Sequence, residues 1–284
     1  MIAHAFDYTA PRSLDEALTL IAEGGKPLSG GMSLIPMMKL RLASPDRLID
    51  LGRLKELSYI REEGGELHIG AATTYYELES SPLLMGKCPL MAETATHIGD
   101  IQVRNMGTLG GSVAHADPAA DYPAALQALE AGIVLRSSSG TRTLSTKDFF
   151  LDTFTTALEP GEIVAEIIVP VEPGLTGVSY RKFRQPASGF AIVGVAARVR
   201  QEGGVFSLVR VGVTGLSGSS YRATGVEAAL EGKQPTEDNI HAAAALVGDG
   251  VEAGADLHAS ANYRKHLAAV YTAKAVRAAL SRSA

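Results

Sequence analysis

Two glycine turns hold the residues of this sequence best suited to chemistry: Ser29, Gly30, Gly31, Met32 and Ser33, and Thr108, Leu109, Gly110, Gly111 and Ser112. A Gly-Gly pair beside a hydroxyl residue lets the backbone come close to a ligand and aim several N–H groups at one point, which suits a phosphate or pyrophosphate. Neither turn carries Lys or Arg, so backbone and hydroxyl donors must hold such an anion. At roughly 1.5–3 kcal/mol per hydrogen bond to a charged group, four or five of these donors anchor a dinucleotide. Taken singly, either turn also reads as an ordinary surface turn.

The remaining composition narrows the chemistry. One cysteine, Cys88, excludes an internal disulfide framework and a protein-ligated iron–sulfur cluster, which normally takes four thiolates. Lying in an apolar stretch before Pro89, it reads as a small buried hydrophobe. The seven histidines show no ligand spacing, and His115 with Asp117 lacks a third metal ligand, so no metal site is expected. The second turn is not followed by the Lys-Ser or Lys-Thr of a P-loop. Gly248, Gly250 and Gly254 lack the strand that a dinucleotide fingerprint requires. A net charge of −5 gives no general attraction to nucleic acid or anionic lipid. No window nears the ~18 apolar residues of a membrane span, and residues 1–10 lack a basic and apolar leader, so a cytoplasmic protein is expected.

These turns need elements to position them. Ser13 and Glu16 form a capping-box signal, with Leu14, Ala17, Leu18 and Ile21 on one face, for a helix running to Gly24 and Gly25. Strand 26–29, helix 33–42 and strand 47–51 then make a compact β-turn-α-β unit whose first glycine turn sits at a helix N-terminus. Further on, 67–71 reads as a strand, 74–80 and 89–98 as helices, 121–131 as a helix after the second glycine turn, and 132–136 and 163–169 as strands. Pro170, Pro173 and Gly174 mark a linker. Runs 177–184, 191–201 and 205–214 read as an antiparallel meander, the last two joined through Gly203 and Gly204. Helices follow at 223–231, 236–247 and 261–281, the last with Tyr263, Leu267, Val270, Ala273 and Leu280 as its buried stripe.

Taken together, segments 26–36 (KPLSGGMSLIP), 102–112 (QVRNMGTLGGS) and 114–123 (AHADPAADYP) closely resemble the FAD-binding medium subunit of molybdenum hydroxylases. That family includes the carbon monoxide dehydrogenase medium subunit and the flavin domain of xanthine dehydrogenase. The likeness covers nearly the whole chain, including 230–233 and the Tyr263 and Arg264 region. It implies an α+β fold: a PCMH-type FAD-binding fold, with a small N-terminal β-α-β subdomain (1–55) and a middle α/β subdomain (56–172), followed by a C-terminal antiparallel sheet with helices (177–284).

By position, the resemblance implies that residues 29–33 and 108–112 wrap the FAD pyrophosphate and ribityl chain. Asp121 matches an aspartate bonded to flavin hydroxyls, though the residue type also suits a helix cap. Lys182 matches a lysine near the adenine, although a lysine on an alternating strand is commonly solvated. Phe190 stands where carbon monoxide dehydrogenases place a tyrosine against the isoalloxazine, keeping the apolar ring and losing the hydroxyl. Ile98 matches a ring contact and Val164 an adenine neighbour, though such residues are more often simply core. His115 stands where relatives commonly have Asn or Thr, and suits either a donor to the cofactor or a hydrogen-bonded structural histidine.

The resemblance further implies an oxidoreductase heterotrimer, paired into a dimer of heterotrimers. Molybdopterin would lie on a large subunit and 2Fe-2S clusters on a small one, with FAD on this chain passing electrons to an external acceptor. No catalytic residue acting on substrate is expected here. Two other readings are a self-contained flavoprotein reductase, for which no proton donor stands out near either turn, and a flavin-free scaffold subunit.

Overall fold

In the computed structural model, which describes residues 2–171 and 176–283, three short strands form a wholly parallel sheet in the order Asp7–Thr9, Arg47–Asp50, Lys26–Leu28. Helix Leu14–Ala22 covers it. Ser13 accepts from the Glu16 amide, while Glu16 takes the Arg12 N–H rather than that of Ser13. Leu14, Ala17, Leu18 and Ile21 are buried, as their spacing requires. The helix expected over 33–42 is the shorter Leu34–Lys39. It ends early because Arg41 turns left-handed (φ 60°) and the Leu42 amide reaches back to the Met37 carbonyl, a Schellman closure.

A five-stranded antiparallel sheet follows in the order Ile60–Glu63, Glu66–Gly70, Ile163–Pro170, Gly132–Ser137, Gly140–Ser145. A register shift between Val164 and Glu166 reverses the facing of its central strand. Ile163 and Ala165 pack into the N-terminal core, whereas Val164, Ile167 and Val169 pack into the middle one. Strand Ile163–Pro170 therefore joins the two cores. The strand ends at Pro170; Pro173 and Gly174 of the expected linker lie outside the described residues.

The meander forms as read, with Gly177–Arg184, Ala191–Glu202 and Val205–Thr214 antiparallel and Tyr221–Arg222 at the edge. Gly203 and Gly204 both take positive φ at its hairpin. Both faces of this sheet are covered. Val178, Tyr180 and Ala196 belong to the middle core, and Val193, Val195, Val211 and Val213 to a core shared with the C-terminal helices. Helix Asp121–Leu129 lies directly on the sheet, so that a Cβ on Gly212 would stand 1.9 Å from the Ala124 carbonyl oxygen. Helix Ala261–Leu280 packs as closely, mainly through Ala268, Ala273, Ala275 and Ala279. Leu267 is buried as expected, Val270 and Leu280 are half-buried, and Tyr263 is largely exposed. Among the described residues no helix is long and apolar enough to cross a membrane.

At the end of helix Asp121–Leu129, Glu130 accepts from Arg198, Arg210 and Arg222 of the C-terminal sheet. Burial pushes the Glu130 carboxyl up, but the three guanidinium groups together hold it below its ordinary value. A depressed carboxylate contributes stability above the unfolded-state pKa and loses it as pH falls through the folded value. With the Glu130 side chain 40% exposed, solvent screening limits the expected cost of Glu130→Gln to about 1 kcal/mol. Urea denaturation should show that deficit at neutral pH and its closure below about pH 4.

Candidate functional site

The fold presses the two glycine turns together. Ser29 Oγ lies 2.9 Å from Thr108 Oγ1, and a Cβ on Gly30 would stand 2.0 Å from the Met106 carbonyl oxygen. Gly110 is buried with equal closeness, its would-be Cβ 2.4 Å from that of Ala71. Gly30 and Gly110 are thus required by the packing of backbone on backbone, where the sequence suggested approach to a ligand. Gly31 has the other need, a left-handed φ of 73°.

The amides of the two turns have different fates. In the second turn Leu109 N–H donates to Thr73 O (3.0 Å), Gly110 N–H to Ala71 O (2.8 Å), Gly111 N–H to Thr108 Oγ1 (3.2 Å) and Ser112 N–H to Thr108 O (3.1 Å). This turn is the start of a helix, Leu109–His115, capped by Thr108. Two glycines argued against that helix on propensity, and packing overrode them. In the first turn, Gly30, Gly31, Met32 and Ser33 donate to no acceptor among the described residues. Four consecutive unspent N–H groups around a left-handed glycine form a candidate anion nest. The second turn is its buttress.

Helix Ile101–Met106, started by Asp100 accepting from the Val103 amide at 2.9 Å, leads away from the nest. Six residues at 1.5 Å each carry it roughly 9 Å, with Met106 against Gly30 at one end and Gly99 at the other. Ile101 and Met106 both expose about half their surface. Ile98, half-buried on the middle core, accepts from Arg104 Nη1 at 3.1 Å, and Arg104 also pairs with Glu79. Opposite Gly99 sits the hairpin joining Gly177–Arg184 to Ala191–Glu202, where a Cβ on Gly189 would stand 3.7 Å from Gly99 Cα. Next in that hairpin, Phe190 is 47% exposed. Nest, exposed helix and aromatic hairpin therefore follow one another along the surface.

Asp121 and Lys182 meet each other in the interior. Lys182 Nζ donates to Asp121 Oδ2 (2.8 Å) and to the His97 carbonyl (3.0 Å), and Tyr180 OH donates to Asp121 Oδ1 (2.5 Å). The side chains of Lys182 and Asp121 are only 2% and 5% exposed. Ala120, not Asp121, is the cap residue of helix Asp121–Leu129, and Lys182 is not a solvated strand lysine. Burial lifts the Asp121 carboxyl above its ordinary value, more than Lys182 and Tyr180 lower it. Tyr180 and His97, whose rings meet edge to face at 5.4 Å, complete this cluster. Tyr180 was findable, since residues two apart on a strand share a face with Lys182.

The other expected positions divide. Leu109 and Val164 are buried in the middle core. His115 ends its helix with its ring 5.0 Å from that of Phe154, and no hydrogen bond holds the imidazole among the described residues. Burial sets His115 and His97 below the usual histidine range. Cys88 is buried as read, and burial pushes its thiol up to about 11.

Residues 4–172 match the family model described as the FAD binding domain in molybdopterin dehydrogenase, and residues 178–279 match the CO dehydrogenase flavoprotein C-terminal domain. Among curated relatives, the carbon monoxide dehydrogenase medium chain of Hydrogenophaga pseudoflava is 41% identical over the whole of both chains. The glyceraldehyde dehydrogenase medium chain of Sulfolobus acidocaldarius is 39% identical over 95% of this chain and 96% of its own. A solved carbon monoxide dehydrogenase from H. pseudoflava, one lacking the Mo-pyranopterin moiety of its cofactor, superposes with a TM-score of 0.97 at 42% identity, covering all of both chains. Quinoline 2-oxidoreductase from Pseudomonas putida 86 gives 0.94 at 31% identity, again over all of both chains.

Proposed function

The chain belongs to the FAD-binding medium subunits of the molybdenum hydroxylases, and from that premise we propose that it is the electron-exit subunit of such an oxidoreductase. It would take electrons from 2Fe-2S clusters on a small subunit, with molybdopterin on a large one, in a dimer of heterotrimers. The observation that carries the binding half of this reading is the run of four unspent amides at Gly30, Gly31, Met32 and Ser33. A diphosphate supplies the acceptors this nest lacks, and its position at the junction of the parallel sheet and the Thr108 turn fits FAD held between residues 1–55 and 56–172. When bound, FAD supplies a carrier that accepts electrons singly and releases them in pairs.

The chain's own residues bind and orient. The first turn grips the diphosphate, while Thr108 fixes Ser29 and hence the turn. Gly111 and Ser112 complete the wall behind it. Helix Ile101–Met106, roughly 9 Å long, would flank the ribityl chain, and the apolar surfaces of Ile98 and Phe190 would shield the isoalloxazine from water. His115 stands at the far end of the helix that the second turn begins. Asp121 and Lys182 act from behind, joining the middle subdomain to the C-terminal unit (177–284), with Leu109 and Val164 as packing beneath.

Titrating the chain with FAD, FMN and riboflavin tests the binding half. One equivalent of FAD should bind, and riboflavin, lacking phosphate, should bind far more weakly. Riboflavin binding as tightly as FAD would remove the nest from the reading. For the electron-exit half, mixing the FAD-loaded chain with a pre-reduced, desalted 2Fe-2S small subunit should bleach the flavin absorption; an unbleached band in the assembled pair would overturn it.

A further inference from the structure

Arg264, in the first turn of helix Ala261–Leu280, is a buried arginine at the open end of the C-terminal sheet. The ladder between Ala191–Glu202 and Val205–Thr214 stops at the pair Gly194 and Thr214, leaving the carbonyls of Ile192 and Gly215 beyond its last rung. Arg264 Nη1 donates to both, each at 2.6 Å, and Nη2 donates to Asp256 Oδ2, also at 2.6 Å. Asp256 is itself fixed by the amides of His258 and Ala259, both at 2.9 Å. Gly215 is left-handed (φ 80°), and its would-be Cβ would stand 2.6 Å from the Ile192 oxygen, so the strand ends converge tightly on the guanidinium.

What this clamp holds is the rim of the candidate site. Ile192 lies two residues beyond Phe190. The Phe190 hairpin is rigid in itself, with Gln185 N–H donating to Phe190 O (2.8 Å) and Gly189 N–H to Gln185 O (2.9 Å). On the other strand end, Gly215 N–H donates to Pro118 O (2.8 Å), and Thr214 Oγ1 lies 2.8 Å from both Pro118 O and Ala120 O, with one proton to share between them. Ala191 N–H completes the seam on Ala119 O at 3.3 Å. The 116–120 loop and the Phe190 hairpin are thereby registered to each other through strand ends that Arg264 bridges. A rigid planar fork can satisfy two carbonyls and a carboxylate together, whereas a lysine ammonium offers no such fork.

We propose that Arg264 is a positioning residue for the flavin environment: by bridging Ile192 and Gly215 it holds the Phe190 hairpin over the isoalloxazine end of the site. This rests on the reading that FAD runs from the Gly30 nest toward Phe190. Arg264 touches no cofactor atom; it acts through the hairpin.

The test uses the full chain loaded with FAD and carrying Arg264→Lys, Asp256→Asn or Phe190→Ala, or Arg264→Lys and Phe190→Ala together. Readouts are iodide quenching of the flavin fluorescence, the visible circular dichroism of the flavin, and FAD affinity. Phe190→Ala should raise iodide access severalfold. Arg264→Lys should raise it in the same direction with FAD affinity unchanged, and Asp256→Asn, which keeps the guanidinium, should do so more weakly. The double variant should match Phe190→Ala alone, because the arginine acts only through that ring. Native access in both Arg264→Lys and Asp256→Asn, beside raised access in Phe190→Ala, overturns the proposal, as does additivity in the double variant. Unchanged access in Phe190→Ala instead overturns the placement of the flavin under the hairpin, and the Arg264 proposal with it.

Discussion

Gly30→Val should leave the chain folded and unable to retain FAD. The new Cβ would lie 2.0 Å from the Met106 carbonyl oxygen and 2.9 Å from Gly107 Cα, which are backbone atoms that cannot swing aside. The first turn must therefore lift off the second, breaking the Ser29–Thr108 hydroxyl contact and scattering the four amides it presents. Losing even two hydrogen bonds to a charged diphosphate, at roughly 1.5–3 kcal/mol each, weakens binding about a hundredfold or more. Flavin titration measures the affinity, and far-ultraviolet circular dichroism checks the fold. Gly31→Ala makes a milder comparison, since its left-handed φ costs an alanine roughly 1–2 kcal/mol. Native FAD affinity in Gly30→Val would mean that the pressed turns do not form the diphosphate site.

The second large effect belongs to Lys182→Met, which should destabilise the chain by about 3–5 kcal/mol at neutral pH by leaving the buried Asp121 carboxylate without its cation. Asp121 already sits above its ordinary value because burial outweighs its partners, and removing Lys182 takes away the largest opposing influence. Between the unfolded value near 3.9 and the raised folded value, the native state binds more protons than the unfolded state. Stability therefore falls as pH rises through that window and is level above it. The deficit of Lys182→Met should accordingly narrow on acidification, which urea denaturation across pH will follow. Asp121→Asn combined with Lys182→Met should recover most of the loss, because the amide oxygen still accepts from Tyr180 and no charge is left buried. An equal deficit at every pH would show that lost packing, not the stranded carboxylate, is responsible.

Much of the architecture was legible because local signals and tertiary demands agreed. The Leu14, Ala17, Leu18 and Ile21 stripe, the paired glycines at 203 and 204, and the apolar run through Ala191 to Val199 each had one fold-consistent meaning. Helix Leu109–His115 was hidden because its glycines oppose helix formation; the fit of Gly110 against Ala71, a contact 39 residues distant, explains the first of them, and the closeness of Gly111 to the capping Thr108 hydroxyl the second. The candidate site was legible as a pair of turns but not as a division of labour between them. Sequence shows that amides exist, whereas which are spent depends on Thr73 and Ala71 lying across the fold. For the same reason Asp121 and Lys182, 61 residues apart, could be named singly, while their burial against each other could not be read. Arg264 was named only as part of the resemblance, and its role could not be read, since its partners at Ile192 and Gly215 converge only when the sheet is built.

The most direct test of the diphosphate nest is an amide-resolved nitrogen–proton spectrum of the chain with and without FAD. The expected result is that the amides of Gly30, Gly31, Met32 and Ser33 shift downfield on binding, as free N–H groups do when they acquire anionic acceptors. Those of Leu109 and Gly110, already bonded to Thr73 and Ala71, should move little. FAD bound with the first four unmoved would contradict the assignment of the first turn as the anion cradle.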